Sequence, residues 1–278
     1  MSGQMDAHSA LAALRDEGWI GEVLHEVRGG KEATVFCCAG GPAAAAMAID
    51  TPDLRSPEGP GPDAQAGGVL RPPFVAVKFY RPRMNRTFRN DAVYRGGRLE
   101  FAHNSRVRRA LEAGSAFGRE AQQALWIDHE WEVLATLHHA GVDVPVPLHR
   151  VESAIVMSFV GDEATGGAAP ALHEAALDRD EVEAVTDRLL ANIERMLDAH
   201  VVHGDLSSYN VLYDPRTRRA VIIDFPQAVD PRLNPAAAML LERDIANICA
   251  WARKRGIDRD APAIAREMWE RFEVGEIG

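Results

Sequence analysis

The sequence predicts an α+β fold in two lobes, because strand-like patterns concentrate before residue 160 and helical periodicity dominates after it. Hydrophobic residues make up 46% of the 278 positions and charged residues 26%, a balance that provides enough apolar side chains for a buried core. The formal net charge is -10, which excludes a surface dominated by basic residues but leaves room for a local basic patch.

Short strands and two helices are predicted in the N-terminal lobe, residues 1–160. Alternating apolar residues and a glycine turn predict a hairpin that begins at residue 19 and continues through GGKEATVFCCA. The other predicted elements are a helix at 8–17, a strand at 74–80, a helix at about 120–140 and a strand at 153–160.

Two stretches interrupt this lobe. Gly, Pro and Ala dominate at about 40–73, which predicts a flexible insertion. The segment at about 81–119 is rich in arginine and poor in large aliphatic side chains, which predicts a flexible basic loop. Binding of RNA is the alternative interpretation of that loop.

The C-terminal lobe, residues 161–278, is predicted to be mostly helical. A Gly/Ala-rich linker at 161–170 precedes a helix at 180–199, which has apolar side chains along one face. The strands VLY and AVIID flank the turn DPRTRR, and two closing helices are predicted at 236–252 and 259–274.

Three cysteines, Cys37, Cys38 and Cys249, show no CxxC spacing of the kind that binds zinc. We therefore expect a reducing, cytoplasmic location with no disulfide and no structural metal. The N-terminal residues lack the basic and apolar runs of a signal peptide, and no stretch of 18 apolar residues predicts a membrane span.

The strongest chemical signal is the run HGDLSSYN, which ends at Asn210 and is followed by the strand AVIID, ending at Asp224. Phosphoryl transfer needs a carboxylate that orients the attacking hydroxyl, and hard oxygen ligands that hold Mg²⁺ against the phosphates. Asp205, Asn210 and Asp224 supply these groups. Asp, Ser and Asn are also common in turns and caps, so a turn without chemistry is the alternative. The full string with its two strands favours the site.

A second signal joins a glycine turn to a lysine in a strand. The turn RGGKEATVF, from Arg28 to Phe36, would let backbone N–H groups approach phosphates closely, and an ordinary hairpin turn is the alternative. Lys78 lies in the apolar strand FVAVKFY, where an unpaired ammonium group would be costly. We expect Lys78 to reach nucleotide phosphates, and a solvent-facing edge-strand lysine is the alternative.

Glu130 is the predicted ion-pair partner of Lys78, because it lies beside the apolar face of its helix, as an inward-pointing glutamate should. The competing carboxylates belong to Glu120, Asp128 and Glu132. For Glu130 itself, the alternative is a solvated position on the helix surface.

Taken in order, these motifs resemble those of the RIO family of atypical serine/threonine protein kinases. HGDLSSYNVLY is similar to the catalytic loop of the protein-kinase-like superfamily, IIDFPQAV to the RIO metal-binding loop, and GKEA to the RIO nucleotide loop. The resemblance implies a bilobal protein-kinase-like fold, with an antiparallel N-lobe sheet carrying one helix and a small, mostly helical C-lobe. It also implies ATP and Mg²⁺, or Mn²⁺, as cofactors, and a minimal member of the family without a winged-helix domain.

The resemblance assigns roles to individual residues. Asp205 would be the catalytic aspartate, assisted by Lys78, while Asn210 and Asp224 would be metal ligands. Asp224 is also a candidate phospho-acceptor. The stretch IVMSFVG resembles a kinase strand and hinge whose backbone binds the adenine edge. The implied nucleotide-binding residues are Gly30, Lys31, Glu32, Ala33, Val35, Lys78, Glu130, Met157, Ser158 and Val160.

Two positions depart from the family patterns. Gly204 replaces the arginine of the common kinase loop, which argues against control by a phosphorylated activation loop. Gly29 stands where the RIO nucleotide loop usually has Ser or Thr, so no contact from that hydroxyl is expected. The segment after Asp224 is also too short for the lower helical subdomains of ordinary protein kinases.

The expected activity is transfer of phosphate from ATP to serine or threonine, or to the chain itself, with an ATPase switch as a related output. The first alternative is a small-molecule phosphotransferase of the aminoglycoside or choline kinase type, which carries similar HGDL and IID strings. The second is a non-enzymatic binding module associated with ribosomal particles or RNA. No membrane partner is expected.

Overall fold

A computed structural model of the chain describes residues 7–29, 33–50, 74–81, 116–162 and 165–278; the side chains of 48–50 and 116–123 are outside that description. The chain divides into two compact units. Unit 1 comprises Met1–Met84 and Pro145–Ala169, and unit 2 comprises Asn85–Val144 and Pro170–Gly278. The predicted lobes, 1–160 and 161–278, divide the chain at a different place and stay a prediction.

Among its described residues, unit 1 has two helices and a five-stranded antiparallel sheet, in which the neighbouring strands are, in order, 20–29, 33–40, 74–80, 154–158 and 147–151. The antiparallel sheet predicted from the sequence is confirmed. Its elements are α1 Ala7–Asp16, β1 Ile20–Gly29, β2 Ala33–Gly40, α2 Pro42–Asp50, β3 Phe74–Tyr80, β4 Pro147–Val151 and β5 Ala154–Ser158.

The central strand β3 has one fully buried face and one mostly half-buried face, and both are largely apolar. Val75, Val77 and Phe79 lie on one face and are at most 4% exposed. Lys78 points to the other face and is half-buried. The core of unit 1 comprises Ala10, Leu14, Ile20, Cys38, Ala44, Val75, Val77, Phe79, Val146, Leu148, Ala154 and Val156.

Unit 2 combines four helices with a two-stranded antiparallel sheet among the described residues. The helix at Arg179–Asp198 begins at a capping box in which Glu181 N donates to Asp178 at 2.8 Å and Asp178 N donates to Glu181 at 3.1 Å. The elements are α3 Ala116–His139, α4 Arg179–Asp198, β6 Val211–Asp214, β7 Arg219–Ile222, α5 Ala237–Arg253 and α6 Ala261–Glu273.

The predicted apolar face of α4 is buried as expected. The same pattern of three- and four-residue spacing buries one face of α5. The buried residues of α4 are Val182, Val185, Thr186, Leu189, Asn192, Ile193, Met196 and Leu197.

Two predicted flexible segments are partly helical, and those parts of the prediction are wrong. Residues 42–50 (PAAAAMAID) form α2, because alanine has the highest helix propensity and proline is well placed at a helix start. Helix α3 begins at Ala116, inside the predicted 81–119 loop, where helix-forming residues outweigh the basic character of the segment. The remainder of both predicted segments, 51–73 and 82–115, lies outside the described residues.

Across the described ranges, no helix has the length and apolar character needed to cross a bilayer.

Candidate active site

Asp205 lies in the loop between α4 and β6. The backbone groups of its two neighbours, Gly204 and Leu206, are bonded to side chains of α5. Asp244 accepts from both flanking amides, with Gly204 N at 2.8 Å and Leu206 N at 2.9 Å. Arg243 donates to the Gly204 carbonyl, and Asn247 Nδ2 donates to the Leu206 carbonyl at 2.9 Å. One face of α5 therefore satisfies all four backbone groups on either side of Asp205.

The backbone of Asp205 is bonded within its own loop. Its N–H donates to His203 Nδ1 at 3.3 Å, and its carbonyl accepts from Asn210 Nδ2 at 2.8 Å. Because His203 Nδ1 accepts here, the ring proton belongs on Nε2, which lies 3.2 Å from the Ile223 carbonyl and donates to it. His203 is 1% exposed, which fits a structural position better than contact with a substrate.

Asp205 is an exposed residue, but neighbouring atoms partly desolvate its carboxylate, and the pKa of that carboxylate is raised. This desolvation is the main cause, because it disfavours the charged form, and the nearby Asp224 charge adds to it. Arg243 and the bond with Asn210 act in the opposite direction. Gln227 Nε2 donates to Oδ2 of this carboxylate at 3.4 Å. A carboxylate with a raised pKa is a stronger base than an ordinary aspartate.

Asn210 connects the predicted catalytic loop to the segment that contains Asp224. Its carbonyl accepts from Ile223 N at 2.9 Å, directly before Asp224. Asp224 has a φ of 73°, a left-handed conformation that aspartate adopts more readily than most residues. The next residue, Phe225, is 1% exposed, and its ring lies 5.0 Å from that of His203. The structure therefore brings together the three residues on which the phosphoryl-transfer prediction depends.

Asp244 is a site residue that the sequence interpretation missed. It is 1% exposed, and burial raises its pKa to about 7, although two amide bonds and the Arg243 charge oppose the rise. A signal for it exists in the sequence, because an aspartate falls on the apolar face of α5 between Leu240, Leu241 and Ile248. A charged side chain in such a position needs polar partners, and here the partners are backbone groups of the catalytic loop.

Helix α3 carries the predicted Glu130 and contacts the segment after Asp224. Glu130 is 3% exposed, so the alternative of a solvated position is wrong. The adjacent His129 Nε2 bonds the Ala228 carbonyl at 2.9 Å and donates to it. Lys78 belongs to unit 1, with its Nζ 5.3 Å from the centre of the Tyr80 ring. The Lys78–Glu130 pair stays a prediction.

The other predicted nucleotide residues belong to unit 1 or to undescribed positions. Ala33 pairs with Tyr80 and Val35 with Lys78 across β2 and β3. Met157 lies on β5, opposite Ala76 of β3. Gly30, Lys31 and Glu32 lie outside the described residues.

The predicted adenine-binding residues already have some backbone bonds within unit 1. Ser158 N donates to Val146 O at 2.9 Å, and its hydroxyl accepts from Val146 N at 2.8 Å. The Val160 carbonyl accepts from Ala169 N at 3.0 Å. An adenine contact at Ser158 and Val160 therefore has to use other backbone groups of this segment, and it stays a prediction.

The sequence matches the family model described as the RIO domain over residues 63–264. The chain belongs to the RIO family. The matched range includes Lys78, Glu130, Asp205, Asn210 and Asp224, and it begins after the GKEA run. The resemblance to the RIO family that the motifs indicate is confirmed.

Curated relatives of this RIO chain include archaeal and fungal proteins. It is 36% identical over 140 residues to the RIO-type serine/threonine-protein kinase Rio1 of Thermoplasma acidophilum, covering 50% of this chain and 70% of that one. It is 35% identical to Serine/threonine-protein kinase RIO1 of Chaetomium thermophilum, covering 48% of this chain and 27% of that one. It is 30% identical to Rio2 of Methanocaldococcus jannaschii, covering 60% of each.

A solved structure has the same fold as this RIO chain. It is the Rio2 kinase–ADP/Mg²⁺–phosphoaspartate complex from Chaetomium thermophilum, with a TM-score of 0.59 and 19% identity. The match covers 96% of this chain and 67% of that one. The α+β kinase-like fold predicted from the sequence is confirmed.

Proposed function

We propose that this chain is an ATP-dependent, Mg²⁺-requiring serine/threonine kinase of the RIO type. The observation that carries the proposal is the link from Asp205 to Asn210 at 2.8 Å and from Asn210 to Ile223, directly before Asp224, at 2.9 Å. The family match and the curated relatives, which are named serine/threonine-protein kinases, support the same reaction.

In the proposed reaction, a serine or threonine oxygen forms a bond to the γ-phosphorus of ATP. The bond between that phosphorus and the bridging β–γ oxygen breaks, and ADP leaves with the electron pair. The hydroxyl proton passes to the Asp205 carboxylate, for which the raised pKa is favourable. Gln227 and the bonded loop backbone hold that carboxylate in one orientation.

Asn210 and Asp224 fit a magnesium ion by the chemistry of their donor atoms. The Asn210 amide nitrogen is engaged with the Asp205 carbonyl, so the amide oxygen is the atom oriented to act as a ligand. One carboxylate and one amide oxygen are a typical protein contribution, since Mg²⁺ retains water and substrate phosphate ligands. When bound, the ion would neutralise charge on the transferring phosphoryl group.

Nucleotide binding is assigned to residues of both units as part of the proposal. Lys78 would contact the α- and β-phosphates, which is supported by its half-buried place between Val35 and Ile155 in the sheet. Glu130 would be its ion-pair partner, supported by a burial that a lone carboxylate would tolerate poorly. The GKEA run would cover the phosphates, and the Met157 to Val160 segment would contact adenine.

The proposed acceptor is a serine or threonine of another protein or of this chain. The similar Rio2 structure contains phosphoaspartate with ADP and Mg²⁺, which supports a second route through Asp224. In that route a carboxylate oxygen of Asp224 attacks the γ-phosphorus and ADP leaves, with no proton to remove from the nucleophile. Water then hydrolyses the acyl phosphate, and the net result is ATP hydrolysis.

The two alternatives are weaker. The curated relatives are protein kinases by name, so a small-molecule phosphotransferase is not favoured. A ribosomal or RNA partner stays a prediction, because the arginines that suggested it lie in the undescribed 82–115 segment. A cytoplasmic location is part of the proposal, supported by three cysteines that are free and buried.

The test uses radiolabelled ATP and Mg²⁺ with the wild-type chain, Asp205→Ala and Asp224→Asn. Labelled protein is resolved into acid-stable phosphoserine or phosphothreonine and acid-labile, hydroxylamine-sensitive acyl phosphate, while free phosphate is measured in parallel. We expect label or phosphate release from the wild type and a large loss in both variants. Folded wild-type protein that neither binds ATP nor gives a signal in any channel would refute the proposal.

A further inference from the structure

The backbone around Asp205 is held by bonds inside its loop and by bonds to other segments. Gly204 has a φ of 78° and no side chain, so the residue directly before Asp205 cannot anchor the loop by packing. The Asp205 backbone is bonded to His203 and Asn210 of the same loop, and both of these residues are bonded to Ile223. The backbone groups of Gly204 and Leu206, on either side of Asp205, are bonded to α5, which anchors them.

Helix α5 supplies that anchor in two chemically different ways. Asp244 accepts the two flanking N–H groups and is an anionic partner. Arg243 and Asn247 donate to the two flanking carbonyls, at Gly204 and Leu206. Arg243 differs from Asn247 because it also carries a positive charge, which acts on both Asp205 and Asp244.

We infer that Arg243 is a positioning residue for phosphoryl transfer, which fixes the Gly204 carbonyl and thereby the direction of the Asp205 side chain. The inference rests on the proposed function. Arg243 also offsets the repulsion among the carboxylates of Asp205, Asp224 and Asp244, and a neutral donor could not do so. If the Gly204 peptide rotated, the Asp205 carboxylate would point in another direction, while the helix that carries Arg243 would stay folded.

The test compares Arg243→Met, Arg243→Lys and a matched control, Arg253→Met. Methionine keeps most of the side-chain length and removes the charge and the donors. Lysine keeps the charge and one donor toward a single carbonyl oxygen. Arg253 lies on the same helix but is 63% exposed, and it donates to the surface residue Asp258 at 2.8 Å, so its loss should leave the activity unchanged.

Arg243→Met should lower kcat by about 10- to 100-fold, the effect expected from losing one charged hydrogen bond that orients a reacting group. The KM for ATP and the affinity for ADP with Mg²⁺ should stay within about twofold of wild type. Arg243→Lys should recover a large part of kcat. A kcat within about twofold of wild type in Arg243→Met, or equal losses of kcat and ADP affinity, would overturn the inference.

Hydrogen exchange separates this inference from the proposed function. In Arg243→Met, amides of the 203–210 loop should exchange about tenfold faster or more than in wild type or Arg253→Met, while α4 amides are unchanged. This result is independent of turnover, so it would still test the anchor if the wild-type chain proved inactive. Unchanged exchange of the loop in the methionine variant would contradict the anchoring role.

Discussion

Replacing Asp143 by alanine should destabilise the protein by about 2–4 kcal/mol, because this buried carboxylate has three partners on two other elements. It accepts from Arg188 Nε at 2.5 Å, from Asn192 Nδ2 at 2.8 Å and from Arg219 at 3.4 Å. Asp143 is 6% exposed and Asn192 is fully buried. The three partners lie on α4 and at the start of β7, the strand that leads to Asp224.

The expected loss of stability in Asp143→Ala depends on which partners of Asp143 water can solvate after the substitution. Arg188 and Arg219 are about half-exposed, so each can be rehydrated at a cost of about 0–1 kcal/mol. The Asn192 amide nitrogen has no such route, and leaving it without an acceptor costs about 1–3 kcal/mol. Asp143→Asn retains an oxygen acceptor and the side-chain volume, so it should fall between wild type and alanine.

The free energy of unfolding would be measured by urea denaturation at pH 7. Asp258→Ala is the matched control, because Asp258 also pairs with an arginine at 2.8 Å but is 78% exposed, and its loss should cost less than about 0.5 kcal/mol. A cost for Asp143→Ala no larger than that of the control would refute the reasoning.

The same network has a defined pH dependence. Burial acts to raise the pKa of Asp143, but the bonds from Arg188 and Asn192 outweigh it, so the pKa lies below its ordinary value. The stabilisation by the Asp143 carboxylate is therefore present above its pKa in the unfolded state, about 4, and is lost as the pH falls through its pKa in the folded state. The gap between wild type and Asp143→Ala should narrow below pH 4. A gap that stays constant down to pH 3 would show that the carboxylate charge is not its source.

Three further outcomes follow from the active-site geometry. Asp205→Asn should lower phosphoryl transfer by about 10²- to 10⁴-fold with ADP–Mg²⁺ affinity unchanged, measured by initial rates and calorimetry; a rate near wild type would remove Asp205 as the base. Asp224→Asn should raise the Mg²⁺ concentration for half-maximal activity by about tenfold or more, in a magnesium titration, and an unchanged titration would contradict its role as a ligand. Because the pKa of Asp244 in the folded state is raised to about 7, the folded state binds more protons than the unfolded state between about pH 4 and 7. The free energy of unfolding of the wild type should therefore decline as the pH rises through that window. Asp244→Asn should show a smaller decline, and equal slopes for the two proteins would contradict the raised pKa of Asp244.

The sequence was most informative where local pattern and chemistry agree. The apolar run of β3 and the three- and four-residue spacing of α4 predict elements whose burial the structure confirms. The catalytic string was recognisable because its residues are close in sequence and are followed by a strand, a turn and a second strand. The backbone bond from Ile223 N to Asn210 O brings Asp224 close to Asn210. This bond continues the pairing of the two strands that follow Asn210 and precede Asp224.

Features that depend on distant parts of the chain could not be predicted in the same way. The bonds from Arg243, Asp244 and Asn247 to the catalytic loop join residues about forty positions apart, and periodicity on one helix says nothing about its partner. Helix α2 was missed for a different reason, because an alanine-rich run whose one polar residue is the last, Asp50, has no amphipathic period, although its intrinsic propensity is high.

The dependence of the catalytic loop on α5 also orders events during folding. Gly204 and Leu206 acquire their partners only after residues 243 to 247 have been synthesised and docked, because those residues supply the bonds. A ribosome-bound nascent chain that has exposed Asp205, Asn210 and Asp224 but not α5 would contain the complete motif without the bonds from α5. We therefore expect phosphoryl transfer to emerge late, when α5 docks.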